Sequence, residues 1–355
     1  MKTIVVGIDV SKEKLDVTAI DVRNPQQGVV KLDYQVFDNR PMGFRRMLVW
    51  ARRLIKGTTL DDVMFCCETT GGYDRLLCDY IYAKGVAIWR ESALQIKRSV
   101  GVRKGKNDKA DSLMIAEYAM RNMDKAVFYE SPKENIRNLK ALFLYRNRLV
   151  QKITQEKVRT NHLVATMPSG SAKSFIKRDA QKHIKALMKS LKECEKEILR
   201  IINEDESLSR NYKHITSIKG ISLVNAVAII AYSNNFTTIT NARKMASYYG
   251  VANFRETSGT SINRQANTKY YSCSLLRAIL SQAAECTIMK KGIYHAYYDR
   301  LKKKGKPTGV VLNNIKNKLI HLIYSLVKNN MDFEPDYEYN RIGRNCCQND
   351  LSKTA

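Results

Sequence analysis

The chain has 355 residues, 44% of them hydrophobic, and carries 61 Lys+Arg against 34 Asp+Glu for a formal charge of +27. That surplus exceeds what a solvated surface needs and suits a polyanionic partner, DNA or RNA ahead of an anionic membrane, because neutralising phosphates releases condensed counterions. No apolar run approaches a membrane span, the eight cysteines form no Cys-x-x-Cys, and no Walker A loop is present; a membrane protein, a disulfide or zinc scaffold and an ATP-driven machine are therefore set aside.

Residues 1–131 read as mixed α/β. Strand-like runs are "TIVVGIDV", "LDVTAIDV", "VVKLDYQVF", "DVMFCCE" and "VAIW". Helix-like runs are "GFRRMLVWARRLI", "YDRLLCDYIYAK" and "DKADSLMIAEYAMRN". Three strands come first, then helix and strand alternate, which predicts a mixed sheet. The stretch "KRSVGVRKGKNDK" ahead of the last helix offers Arg103, Lys104 and Lys106 for phosphate contact.

Residues 132–205 change character. Ile136, Leu139, Phe143, Val150 and Ile153 follow heptad spacing, interrupted by Arg146, and "MPSGSAKS" breaks the helix at Pro168 and Gly170. A second seam runs through Ile184, Leu187, Leu191, Cys194, Ile198 and Leu199 or Ile201. This predicts a coiled-coil helical linker that packs on its own chain or on a partner helix. Residues 206–340 read as a second, mostly helical unit, and 341–355 as a polar, disordered tail.

Acidic residues at strand and helix ends form the first candidate site. Asp9 ends the first strand and Glu68 another, while Asp108 and Asp111 open a helix three residues apart and so share a face. Each alone has a bland explanation as a turn charge or a helix-dipole partner. Together, four converging carboxylates would repel unless a cation sat among them, and hard oxygen ligands favour Mg²⁺ or Mn²⁺, which assist phosphodiester cleavage. Asp16 and Asp21 read as edge or turn charges, and Glu117 as outer support for the site.

A second candidate is "FRETSGTSINR". Hydroxyl-rich turns with glycine are usually only turns, and Thr257, Ser258, Thr260 and Ser261 stay open at this level. Arg255, Arg264, Lys269 and Arg277 nearby would suit a phosphate under attack. Upstream, "SIKGIS" has the form of a helix-hairpin-helix turn, in which Lys219 and the backbone at Gly220 could meet a phosphate; an ordinary helix-entry turn explains it equally well.

Taken together, "GIDVSKEKLDV", "ETTGGY", "GKNDKADSLMIAEYA", "ITSIKGIS" and "YYGVANFRETSG" resemble the DEDD transposases of bacterial insertion sequences (Piv/MooV type), a family that includes bridge-RNA-guided serine recombinases. The likeness runs to about Phe333. It implies an RNase H-like, RuvC-type N-terminal domain with Asp9, Glu68, Asp108 and Asp111 as metal ligands, a coiled-coil linker and a helical transposase domain. It also implies Ser258 as the nucleophile, forming a phosphoserine link to DNA, and a homo-dimer or tetramer in the bacterial cytoplasm, at the nucleoid. Partners would be element-end and target DNA and a guide RNA. Where relatives often carry glycine after "TK" this chain has Tyr270 and Tyr271, so a tyrosine nucleophile ranks second. The competing readings are a RuvC-like junction resolvase using water, an invertase acting without RNA, and a non-catalytic nucleic-acid binder.

Overall fold

The computed structural model describes residues 2–24, 29–57, 59–99, 107–252, 272–290 and 292–334, and the backbone alone of 255–258 and 262–265. The chain divides into two compact units, Met1–Ser131 and Pro132–Ala355.

The first unit is built on five strands: β1 (Ile4–Val10), β2 (Lys14–Asp21), β3 (Val30–Asp38), β4 (Val63–Glu68) and β5 (Ile88–Glu91). Their order is β3-β2-β1-β4-β5. β2 runs antiparallel to both β1 and β3, while β4 and β5 are parallel to their neighbours. This is the RNase H-like arrangement. β1 and β4 are central and covered on both faces, which is why they read as continuous apolar runs rather than alternating ones. One face, with Ile4, Val6, Ile8, Phe65 and Cys67, packs on α1 (Pro41–Arg53) and α2 (Arg75–Ala83). The other, with Val5, Ile20, Met64 and Cys66, packs with Ile96 of α3 (Ala93–Ser99) and Ile115, Ala116 and Ala119 of α4 (Asp108–Arg121). The short helix α3 lies in a segment whose sequence carried no helix signal strong enough to mark it.

Gly7 sets how closely β1 and α4 approach. A Cβ there would run into the backbone of α4 at Ser112 O and Ala116 N, with Ala116 Cα at 2.9 Å. Only hydrogen fits, so glycine lets the strand lie directly under the first turns of the helix. Beside it, the buried hydroxyls of Thr18 and Ser112 share a hydrogen bond of 2.7 Å, and Ser112 Oγ also donates to Lys109 O at 3.0 Å.

The second unit opens with two long helices, α5 (Glu134–Thr166) and α6 (Ser171–Glu204), broken at Pro168 and Gly170. They pair as a hairpin. Arg146, which interrupted the heptad pattern, is matched by Glu195 of α6 at 3.0 Å. Leu149 rather than Val150 is the buried residue of the next turn, and the second seam ends on Ile201 and Ile202, with Leu199 facing out. At the end away from their connection Ile136, Leu139, Phe143, Ile198 and Ile202 enter one core with α7 (Glu206–Thr216), α8 (Leu223–Ser233), α9 (Ala242–Tyr249), α10 (Ser274–Ile288) and α12 (Thr308–Asn329); α11 (His295–Lys303) flanks it. Between α9 and α10 the chain forms a two-stranded hairpin, β6 (Arg255–Ser258) and β7 (Ile262–Gln265).

Candidate active site

Side chains on a strand alternate faces, so Asp9 lies on the same side as Val5 and Gly7, towards α4. Asp16 sits directly opposite it across the antiparallel β1–β2 pair. On the other flank the parallel register pairs Ile8 with Cys67, which brings Glu68 beside Asp9. α4 completes the group from above. Asn107 caps it, accepting from Lys109 N at 3.1 Å, and Asp108 and Asp111 occupy the first turn, where the helix dipole favours negative charge. One oxygen each from Asp9, Asp108 and Asp111 lie within 4.8 Å of one another.

The electrostatics show crowding. Asp9 is pushed from its ordinary value near 3.8 up to about 6, first by burial and then by the charges of Glu68, Asp111, Asp108 and Asp16. Each of these disfavours the ionised form. Glu68 thus acts on Asp9 from the neighbouring strand while standing outside the three-residue cluster.

Two residues of the site were not singled out from the sequence. Asp16 is no edge charge: it is 3% exposed, accepts a hydrogen bond from Tyr34 Oη at 2.6 Å and pairs with Lys14 Nζ at 3.0 Å. The same Lys14 ammonium reaches half-exposed Asp108 at 2.8 Å. The hydrogen bonds to Asp108 and then Asp16 hold it above its ordinary value, and the Asp16 carboxylate raises Tyr34 to about 12. The signal was available: a tight turn at residues 11–13 forces 9 to pair with 16. Asp21, by contrast, is bound by Arg23 at the end of β2, as a turn charge should be. Glu117 stands outside the three-residue cluster. Six positions beyond Asp111 it turns to another side of α4 and pairs with Arg121 at 3.3 Å.

In the second unit Ser258 closes β6 opposite Ile262, and Arg255 and Arg264 lie on the paired strands, opposite Gln265 and Glu256. Arg277 on α10 donates from Nε to Tyr249 O at 3.3 Å and from Nη2 to Ser272 Oγ. Lys219 is exposed in the α7–α8 turn, where Gly220 adopts φ 101° beside Thr287. Arg103, Lys104, Lys106, Thr260, Ser261, Lys269, Tyr270, Tyr271 and the 341–355 tail lie outside the described residues.

Two family profiles match the chain. The first, a DEDD-type transposase profile of the IS110 group, covers residues 6–168; the second, described as "Transposase IS116/IS110/IS902 family", covers 212–299. Two relatives are pilin gene-inverting proteins, from Moraxella bovis and Moraxella lacunata, each 23% identical over 93% of this chain and 97% of theirs. Among solved structures, Thermus thermophilus RuvC matches 36% of this chain and 99% of its own at 15% identity and TM-score 0.27. The same protein with a Holliday junction substrate matches over the same shares at 14% and 0.26. The chain is thus a transposase, a DNA-binding recombinase that cleaves and rejoins strands. It belongs to the IS116/IS110/IS902 transposase family.

Among the described residues no helix is long and apolar enough to cross a membrane.

Proposed function

We propose that this recombinase breaks DNA through a phosphoserine intermediate, with Asp9, Asp108 and Asp111 holding a divalent cation at the scissile phosphate and Glu68 completing the ligand set. The observation that carries the reading is the cluster itself: three carboxylate oxygens within 4.8 Å of one another, one of them on a carboxyl raised to about 6 by burial and by its acidic neighbours. Such a group gains most from a bound cation, and an all-oxygen donor set fits Mg²⁺ or Mn²⁺. When bound, such an ion polarises the phosphodiester and stabilises charge on its oxygens.

This chain's own residues supply the rest. β1 and the capped start of α4 fix the acids on rigid elements. Lys14, shared between Asp16 and Asp108, tethers one ligand and offsets part of the charge. Ser258 Oγ attacks the phosphorus, losing its proton to solvent, as the bond to the DNA 3′ oxygen breaks and that oxygen takes a proton from solvent to leave as a 3′-hydroxyl. After strand exchange a 3′-hydroxyl attacks the phosphoserine, expels the serine oxygen and restores a phosphodiester. The phosphoserine link keeps the energy of the broken bond, so no nucleotide cofactor is needed. The basic surplus accommodates a guide RNA as well as DNA. Exposed apolar side chains on the long hairpin, Val158, Leu163 and Phe175 among them, favour self-association as a dimer or tetramer. The three-part division into residues 1–131, 132–205 and 206–340 then assigns metal binding, assembly and the serine to successive segments.

Cleavage of DNA carrying the element ends, titrated with Mg²⁺, tests the metal half. Asp9→Asn, Asp108→Asn and Asp111→Asn should each lose at least about a hundredfold in rate, the scale of removing a transition-state electrostatic contact. Wild-type rates in Asp9→Asn would remove the metal site from the mechanism.

A further inference from the structure

On both sides of the Ser258 hairpin, at Tyr249–Val251 and at Ser272, the chain is held by polar side chains from α10 and α12. Arg277 donates to Tyr249 O and to Ser272 Oγ. Asn313 Nδ2 donates to Val251 O at 3.1 Å. The α9 terminus at Gly250 has φ 68°, and any Cβ there would collide with Ser272 and the Arg277 guanidinium. The guanidinium is therefore fixed against the turn, with three of its five N–H groups uncommitted among the described residues.

One turn beyond Asn313, Lys316 points its ammonium to Ser281 Oγ at 3.2 Å, and Ser281 Oγ in turn donates to Arg277 O at 2.9 Å. Lys316 is held below its ordinary value, first by burial and then by the Arg277 charge; Glu285 acts weakly the other way. Among the described residues neither cation has a carboxylate within ion-pair distance. Two half-buried cations linked through Ser281 and sensing each other's charge repel, and an anion bound by both would relieve the repulsion and the lost hydration.

We propose that Arg277 and Lys316 form a seat for one DNA backbone phosphate at the root of the Ser258 hairpin. The inference rests on the reading of this chain as a serine recombinase, to which it adds Lys316 as a substrate-binding residue. Arginine supplies a fixed planar fork and lysine a mobile point charge, a pairing suited to a phosphate that must be held while a nearby bond changes.

The test is the salt dependence of binding to a fluorescein-labelled duplex of about 30 base pairs, using the full chain; each phosphate contact contributes about 0.9 to the slope of log K against log salt. Lys316→Gln should lower the slope by about 0.9 and weaken binding several-fold. Lys316→Arg should restore both. Lys189→Gln, a highly exposed lysine of α6, should change neither. An unchanged slope in Lys316→Gln, or an equal fall in Lys189→Gln, overturns the seat while leaving the recombinase reading intact. Failure of the wild-type chain to bind the duplex removes both.

Discussion

Asp9 is where stability and function pull apart. Its carboxyl is raised in the folded chain to about 6 from an ordinary value near 3.8, so the native state holds the proton more tightly than the unfolded one. Stability from this group is greatest below pH 3.8, falls as pH rises through the window to about 6, and is lowest above it. In protein stripped of metal, Asp9→Asn should therefore raise the melting temperature at pH 8, by an amount that solvent screening of this half-buried carboxyl keeps to a few degrees at most, and the gain should vanish in acid. A melt series across pH reads this directly; a variant less stable than wild type at pH 8 would contradict it. The mirror experiment adds Mg²⁺. A cation that binds only the folded state stabilises by about 2.7 kcal/mol at a hundred times its Kd. Wild type should gain and Asp9→Asn should not, as read by thermal melts with and without the ion.

At the scale of elements, the decisive contact is β1 against α4. Gly7 leaves no room for a methyl group between strand and helix, so Gly7→Ala should destabilise the first unit by about 3 kcal/mol or more. It should also abolish cleavage, because Asp108 and Asp111 would shift away from Asp9; a chemical denaturation curve and a cleavage assay check the two effects together. Much of this was legible in the sequence. The five strands and the Asp108 helix showed as hydrophobic runs with recognisable boundaries, because buried central strands and a capped helix leave strong local signals. What stayed hidden depended on pairing across the sheet. Asp16 looked like an edge charge until the β1–β2 register placed it against Asp9, and Glu117 looked like a neighbour of Asp111 until the helix turn carried it to Arg121. Arg146 read as a flaw in a heptad, whereas its partner Glu195 lies 49 residues away. Lys316 carried no local signal at all, since its meaning comes from Arg277 on another helix.

Across the whole chain, charge and exposed apolar surface divide the work. The +27 surplus attracts nucleic acid over long range, an attraction that salt screens. Specific assembly needs something less screened, and the outer part of the α5–α6 hairpin offers Val158 at 62% and Phe175 at 58% exposure. Paired Val158→Glu and Phe175→Glu substitutions should shift the sedimentation coefficient towards the monomer without changing helical circular dichroism; a wild type that sediments as a monomer at micromolar concentration would remove this route to assembly. The central claim is that an acidic metal site and a serine act on one phosphate. It is tested most directly by incubating the full-length protein with element-end DNA and Mg²⁺, denaturing it, and mapping any covalently bound nucleotide by peptide mass spectrometry. The account predicts a phosphodiester on Ser258 that disappears in Ser258→Ala and in Asp9→Asn. DNA cleaved with no adduct, or an adduct that persists in Ser258→Ala or maps to Tyr270 or Tyr271, would contradict it.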